Sequence, residues 1–334
     1  MSDKEGVQMR KYMKRWMIIA VVINLVLLAA ACGARKDDVA IKVAGLKGPT
    51  SMGLVKVMED SEKGESANRY EFTLAGSADE VTPKLVKGEL DIAAVPANLA
   101  SVLYNSTEGA VRLLAVNNLG VLYIVEKGES VSKIADLKGK TVYATGKGST
   151  PEYALRYILQ KNGIDPDRDL TIEFKSEPAE IAALLSSQNE GIAMLPQPYV
   201  AVAQSQNEGL RIAVDLNRAW DETGGGSHLV TGVIVARKDF IDKHPEAADR
   251  FIEEYRKSVE WVLADNEAAA QLIEKYGIVK AQVAVKALPY CNLTCITGDD
   301  MKAPVEGYLR SLYEQNPQAV GGKLPDADFY YISD

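Results

Sequence analysis

The residues able to do chemistry in this 334-residue chain gather in short segments that precede helical patterns. Gly48-Pro49-Thr50-Ser51-Met52 and Gly146-Lys147-Gly148-Ser149-Thr150-Pro151 both put hydroxyls and a proline where a helix begins. Backbone N–H groups and the helix dipole point outward from such a start, which suits a carboxylate, a sulfonate or another anionic group. The same hydroxyls also serve as ordinary helix caps, so each segment alone fits either role. The second segment is not a phosphate loop: that motif needs lysine directly before the hydroxyl residue, and Lys147 precedes a glycine. Gly76, Ser77, Asn98, Asn117, Asn118, Gln197 and Tyr199 are further candidates to touch a ligand, with ordinary turn chemistry as the alternative for the asparagines. Trp220 and Tyr123 offer a stacking wall or internal packing, the latter being the better fit.

The elements that must hold these residues alternate along the chain. Strand-length apolar runs at Val39–Ala44, Tyr70–Ala75, Asp91–Val95, Val111–Val116 and Val121–Glu126 have helical patterns between several of them, among these 50–62 and 78–87. In 50–62, Met52, Val55 and Met58 recur at three-residue spacing. A second block repeats the scheme, with strands at Lys140–Ala144, Leu170–Phe174 and Gly191–Leu195 and helices at 151–161 and 179–187. Such alternation predicts an α/β protein whose sheets are mostly parallel and flanked by helices.

Residue identities recur at an offset of one hundred positions. Ala44, Lys47, Gly48, Thr50, Glu80, Leu85, Ile92, Ala93 and Pro96 meet Ala144, Lys147, Gly148, Thr150, Glu180, Leu185, Ile192, Ala193 and Pro196. The blocks read as two copies of one lobe. The later strand 228–236 and helices at 245–264, 266–276 and 301–313 return to the first copy. The expected boundaries are 39–136 with 228–334 for a discontinuous first lobe and 137–227 for the second, with crossovers near 126–137 and 215–228. Gly224-Gly225-Gly226 in the second crossover fits a loop or a hinge. Facing strand tips of two such lobes make a cleft, which would place Thr50 and Thr150 opposite one another.

Catalytic patterns are missing. No Gly-x-Ser-x-Gly elbow occurs, and of the two histidines His244 opens a helix while His228 alone has a route to the cleft. Cys291 and Cys295, with so few histidines, do not make a zinc site; they form either a local disulfide or two free thiols. No metal, cofactor or catalytic residue is expected.

The amino terminus sets the compartment. Arg10, Lys11, Lys14 and Arg15 precede an apolar run from Met17 to Ala31, too short for a comfortable membrane span, which needs roughly 20 apolar residues, so it reads as an export signal starting at Met1 or Met9. Leu28-Ala29-Ala30-Ala31-Cys32-Gly33 resembles the lipobox of bacterial lipoproteins, although Leu28 stands one place earlier than that pattern prefers. The resemblance implies a signal peptide over 1–31, lipid on Cys32 and a tether over 32–38. The remainder carries 33 basic against 44 acidic residues, a formal charge of −11, which argues against nucleic acid as a partner.

Gly48-Pro49-Thr50-Ser51-Met52-Gly53, Gly88-Glu89-Leu90-Asp91-Ile92-Ala93, Ala135 to Val142, and Lys243-His244-Pro245-Glu246 together resemble the nitrate, sulfonate, taurine and thiamine-precursor branch of ABC transporter substrate-binding proteins. The tail from Gly321 to Asp326 with Phe329-Tyr330-Tyr331 is similar to the ending of a lipoprotein group within it. The resemblance implies a two-lobed type II periplasmic-binding-protein fold and closure around one small organic anion or polar heteroaromatic. It also implies a monomer, lipid-anchored on the outer face of the cytoplasmic membrane, that delivers its solute to an ABC permease and its ATPase. The candidate ligand-binding residues, taken from their places at strand ends, helix starts and the second crossover, are Thr50, Ser51, Met52, Gly76, Ser77, Asn98, Asn117, Gly148, Ser149, Thr150, Gln197, Tyr199 and His228. Two alternatives share the fold: a thiamine-pyrimidine-synthase-like enzyme, and a ligand-sensing lipoprotein feeding a membrane sensor.

Overall fold

The computed structural model describes residues 40–223 and 227–333. The expected signal segment, the lipidation at Cys32, the tether and Gly224 to Gly226 lie outside the described residues.

In the first block, β1 (Ala40–Leu46), α1 (Pro49–Met52), α2 (Val55–Lys63), β2 (Arg69–Ala75), α3 (Thr82–Val86), β3 (Ile92–Pro96), α4 (Ala97–Ser106) and β4 (Val111–Leu119) follow in order. The chain continues with β5 (Leu122–Lys127), β6 (Thr141–Ala144), α5 (Thr150–Lys161), β7 (Thr171–Phe174), α6 (Pro178–Ser187), β8 (Gly191–Pro196), α7 (Tyr199–Gln206), β9 (Leu210–Asp215) and α8 (Leu216–Asp221). It returns through β10 (Val230–Arg237), α9 (Lys238–Lys243), α10 (Pro245–Ala264), α11 (Asn266–Lys275), α12 (Ala281–Ala287), β11 (Leu293–Ile296) and α13 (Lys302–Gln315).

Local chemistry explains several boundaries. The pattern predicted as one helix over 50–62 breaks at Gly53 into α1 and α2, and Gly64 ends α2 in the left-handed region (φ 72°), where a residue without Cβ is unstrained. Only 82–86 of the predicted 78–87 is α-helical, because Ser77 and Glu80 first close a 3₁₀ turn through a capping box. Pro245 opens α10, and Asp265 caps α11 by accepting from the Ala268 N–H.

The strands form two sheets, ordered β11-β4-β10-β3-β1-β2 and β7-β6-β8-β5-β9. Both are mixed, not mostly parallel. β1 pairs in parallel with β2 and β3, and β6 with β7 and β8, whereas β10 and β5 run antiparallel to their neighbours. The crossovers explain the difference. β4 leaves the first sheet at the same edge as the carboxyl ends of β1 and β3, and after Gly120 and Val121 the chain enters the second sheet as β5. Arriving at the strand tips, β5 must run away from them, against β8 and β9; β10 does the same on the return. The first crossover is therefore at 120–121 and not near 126–137: β5, assigned from chain order to the first lobe, is hydrogen-bonded in the second sheet.

Burial follows this plan. One face of the first sheet packs on α2, α10, α11 and α12 through Met52, Val55, Phe251, Tyr255 and Ile273. Another core runs from the opposite face into the second lobe through Leu113, Leu155, Ile158, Trp220 and Tyr308. Trp220 is 1% exposed, its ring centroid lies 4.3 Å from that of Tyr157, and its Nε1–H donates to the Ser227 carbonyl at 3.0 Å. Trp220 is thus packing and not a ligand wall. Tyr123 is also buried, its hydroxyl donating to the Tyr290 carbonyl at 3.2 Å.

Candidate functional site

The strand tips of the two sheets face one another over a cavity of about 360 Å³, near the small end of the ~300–1,000 Å³ range of small-molecule sites. From the first lobe come Leu46, Lys47, Gly48, Pro49, Thr50, Gly76, Pro96 and Thr231, and from the second Ser149, Thr150, Pro151, Glu177, Pro178, Pro196 and Tyr199. Val121 and Leu122, at the first crossover, complete the wall. Thr50 and Thr150 thus share one crevice.

The expected site residues divide into those at the cavity and those behind it. Thr50, Gly76, Ser149, Thr150 and Tyr199 line it. Ser51 and Met52 do not: Ser51 is fully buried against Gly45, and Met52 is fully buried with its sulfur 3.6 Å from Cys291 Sγ. In a one-turn helix neighbouring side chains diverge by about 100°, so a Thr50 that faces the cleft sends the next two residues inward. Ser77 is exposed and closes its own turn, its N–H donating to Glu80 Oε1 at 3.1 Å. Gly148 lies outside the lining and its N–H donates to Glu152 Oε2 at 2.7 Å. Gln197 is buried behind Pro196, its N–H donating to the Val121 carbonyl at 2.9 Å. His228 is on the surface, its side chain 65% exposed with Nδ1 3.3 Å from Asp221 Oδ1, and does not reach the cavity.

Three asparagines act beneath the cavity and not in it. Asn117 Nδ2 donates to the Thr50 carbonyl at 2.9 Å, and Asn118 Nδ2 donates to the Cys291 carbonyl at 3.0 Å, so the floor strand β4 holds α1 and the segment before β11. Asn98, 1% exposed at the start of α4, spans the lobes. Its Nδ2 donates to the Ala319 carbonyl at 3.2 Å, which fixes the amide orientation, and its Oδ1 accepts from both the N–H and the hydroxyl of Thr150, each at 3.1 Å. Asn98 is a clasp between α4 and the start of α5.

Lining residues that sequence reasoning passed over are Leu46, Lys47, Val121, Leu122, Glu177, Pro178 and Thr231. The repeat offered a signal for one of them, since Lys47 is equivalent to Lys147. Thr231 carried none: it reaches the cavity through the pairing of β10 with β3 and β4, which is not local in sequence. Burial, with the nearby Glu177 carboxylate, holds the Tyr199 hydroxyl above its ordinary pKa, so it remains a neutral phenol.

No nucleophile–base pair lines the cavity among the described residues, and no group of three or more His, Cys, Asp or Glu side chains among them could hold a metal ion. Cys291 and Cys295 are both free thiols, Cys291 buried and Cys295 half-buried. Neither faces the cleft.

The sequence profile of the NMT1-like family matches residues 58–276, well over half of the chain. Among solved structures, an ABC transporter protein from Parabacteroides distasonis is 26% identical, with a TM-score of 0.74 covering 89% of this chain and 100% of that one. A ligand-binding component of an ABC-type import system from Staphylococcus aureus (17% identical, TM-score 0.69) covers 88% of this chain and 97% of that one. The periplasmic aliphatic sulphonate binding protein SsuA from Escherichia coli has the same identity and TM-score, covering 87% and 95%. These neighbours share the two-sheet periplasmic-binding-protein architecture, and with the matched profile they establish that this chain is a member of the NMT1-like family with the type II periplasmic binding fold.

Proposed function

We propose that the protein is the solute-binding component of an ABC importer, closing two lobes over one small molecule and performing no chemistry on it. It would work outside the cytoplasm as a monomer, held to the outer face of the membrane by lipid on Cys32, and would hand its solute to a permease driven by an ATPase. The observation that carries this reading is the shared cavity: residues from equivalent positions of two repeated lobes, Thr50 and Thr150, line one half-open cleft at the strand tips. Closure needs only that the solute bind the closed form better than the open one. The synthase-like alternative would need reactive side chains at the cleft, and the cysteines lie elsewhere, Cys291 buried beneath Met52.

Among expected ligands are organic anions and polar heteroaromatics. The test is a thermal-shift screen of the mature domain against sulfonates, carboxylates, nitrate, amides and pyrimidines. A cognate solute at a hundred times its dissociation constant adds about 2.7 kcal/mol of stability. A screen in which no class raises the melting temperature, with small-angle scattering unchanged throughout, would refute the assignment.

A further inference from the structure

Resting on the reading of the cleft as a solute site, we infer that Lys47 and Glu177 are the two halves of a latch, an ion pair that forms across the mouth when the lobes shut and holds the solute in. The sheet order places them. The crossovers leave and enter the sheets at β4, β5, β9 and β10, whereas β2 and β7 end their sheets on the side away from them. Lys47 follows β1, and its N–H donates to the Ala75 carbonyl at the end of β2 (2.9 Å). Glu177 follows β7 and immediately precedes α6. Nearer the crossovers, just past the end of β3, Asn98 already joins the lobes through Thr150. What remains to shut is the side that carries Lys47 and Glu177, which line the one half-open cleft from opposite lobes.

Both side chains are exposed, and among the described residues neither makes an ion pair or a hydrogen bond. Four charged neighbours at the same tips are engaged inside their own lobes. Glu80 accepts from the Gly76 and Ser77 N–H groups (3.0 and 3.1 Å), and Glu180 accepts from that of Ser176 (3.2 Å). Lys175 Nζ lies 3.6 Å from the Glu173 carboxylate, and Lys147 Nζ sits 6.0 Å from the centre of the Phe174 ring. Asp79 is exposed and lies outside the cavity lining. One cation and one carboxylate are therefore left on facing walls. They attract one another over about 10 Å at 0.1 M salt, and more strongly as closure expels water from between them. A pair that stays wet contributes little, so removing one charge should shift the ratio of shut to open lobes about two- to fivefold.

The experiment uses the full-length protein without solute. A water-soluble carbodiimide joins a carboxylate to an amine only where the two meet, so peptide mass spectrometry should recover a Lys47–Glu177 link. The standing surface pair Lys275–Glu62, at 2.6 Å, is the internal control. Glu177→Gln should abolish the first link and leave the second. Lys47→Glu, which turns attraction into repulsion, should speed hydrogen exchange of the Thr150 amide at least twofold at low salt. The swapped pair Lys47→Glu with Glu177→Lys should restore the wild-type rate, and 1 M salt, where charges act over only about 3 Å, should erase the differences. Absence of the Lys47–Glu177 link while Lys275–Glu62 forms, or a swapped pair that exchanges as fast as Lys47→Glu alone, overturns the latch. Neither result touches the cleft as a solute site, since no solute is present; that reading falls only with the thermal-shift screen.

Discussion

Replacing Asn98 with alanine should loosen the closed arrangement of the lobes far more than it loosens either lobe. The side chain makes three hydrogen bonds, and two of them, to the Thr150 N–H and hydroxyl, cross between α4 and α5. The third, to the Ala319 carbonyl, lies within the first lobe and is lost equally whether the lobes are together or apart. Each neutral bond contributes a net ~1 kcal/mol, and a donor left buried without a partner costs about 1–3 kcal/mol. Thr150 is 1% exposed here, so its N–H would be stranded in Asn98→Ala until separation lets water reach it. The closed form should lose about 2–4 kcal/mol against the open one, roughly a 30- to 700-fold change in their ratio. Hydrogen exchange of the Thr150 amide should accelerate by up to that factor, and the radius of gyration should rise. Thr150→Val, which deletes only the hydroxyl bond, should show about 1 kcal/mol, and added to Asn98→Ala it should cost almost nothing more, as expected of coupled partners. If Asn98→Ala lowers the melting temperature but leaves Thr150 exchange and scattering as in the wild type, the residue is a helix fixture and not a clasp.

Gly232→Ala should lower solute affinity several-fold at small cost in global stability. A Cβ there would sit 2.5 Å from Asn117 Oδ1 and 3.0 Å from Thr50 Cγ2, pushing the cleft hydroxyl and its support aside, and titration calorimetry reads the change. Glu126→Gln should cost about 2 kcal/mol in denaturant melts and flatten the acid limb of stability. Burial pushes the Glu126 carboxyl up, but Ser130, the Val131 N–H and Arg211 outweigh it and hold it below the ordinary range. The stabilisation is therefore present above the unfolded value of about 4.3 and fades as pH falls through the lower folded value. Alkylation by iodoacetamide at pH 8 should be slow at both thiols until the protein is unfolded. Burial pushes Cys295 up to about 11 and raises Cys291 further, leaving a thiolate fraction at Cys295 of about one in a thousand. Labelling of the native protein at the rate of free cysteine would contradict this.

The repeat was legible because it is written in residue identity: Ile92 and Ile192, Ala93 and Ala193, and Pro96 and Pro196 occupy the same places on β3 and β8, with the same order of burial around them. Thr50 and Thr150 at one cavity follow from that symmetry. Ser51 and Met52 were misplaced although the helical spacing of Met52, Val55 and Met58 marked Met52 as core. A residue cannot sit in the apolar stripe and face the cleft as well. The membership of β5 was hidden for another reason: its partners β8 and β9 follow it by many residues, and chain order says nothing about which sheet will hydrogen-bond a strand. His228 was read from proximity to the crossover, but a polar ring with Asp221 beside it is better satisfied in water than in a proline-walled cleft.

Function in a duplicated fold resides where the copies differ. At the offset of one hundred, Asn98 meets Pro198, so the second lobe has no amide at the place from which the first lobe clasps Thr150. Thr50 consequently receives no reciprocal clasp. Its carbonyl is held from below by Asn117, its hydroxyl turns to its own strand, and it stays half-buried at the cavity while Thr150 is closed off. Two equivalent threonines thereby differ in place, Thr150 joining the lobes through Asn98 and Thr50 half-buried at the cavity wall. The same asymmetry places Pro49 at the position of Ser149 and the buried Ser51 at that of Pro151, so the first helix start gives the cleft Pro49 and Thr50 and the second gives it Ser149, Thr150 and Pro151. An exact copy would line both sides alike, and these exchanges give the two walls of the crevice different chemistry.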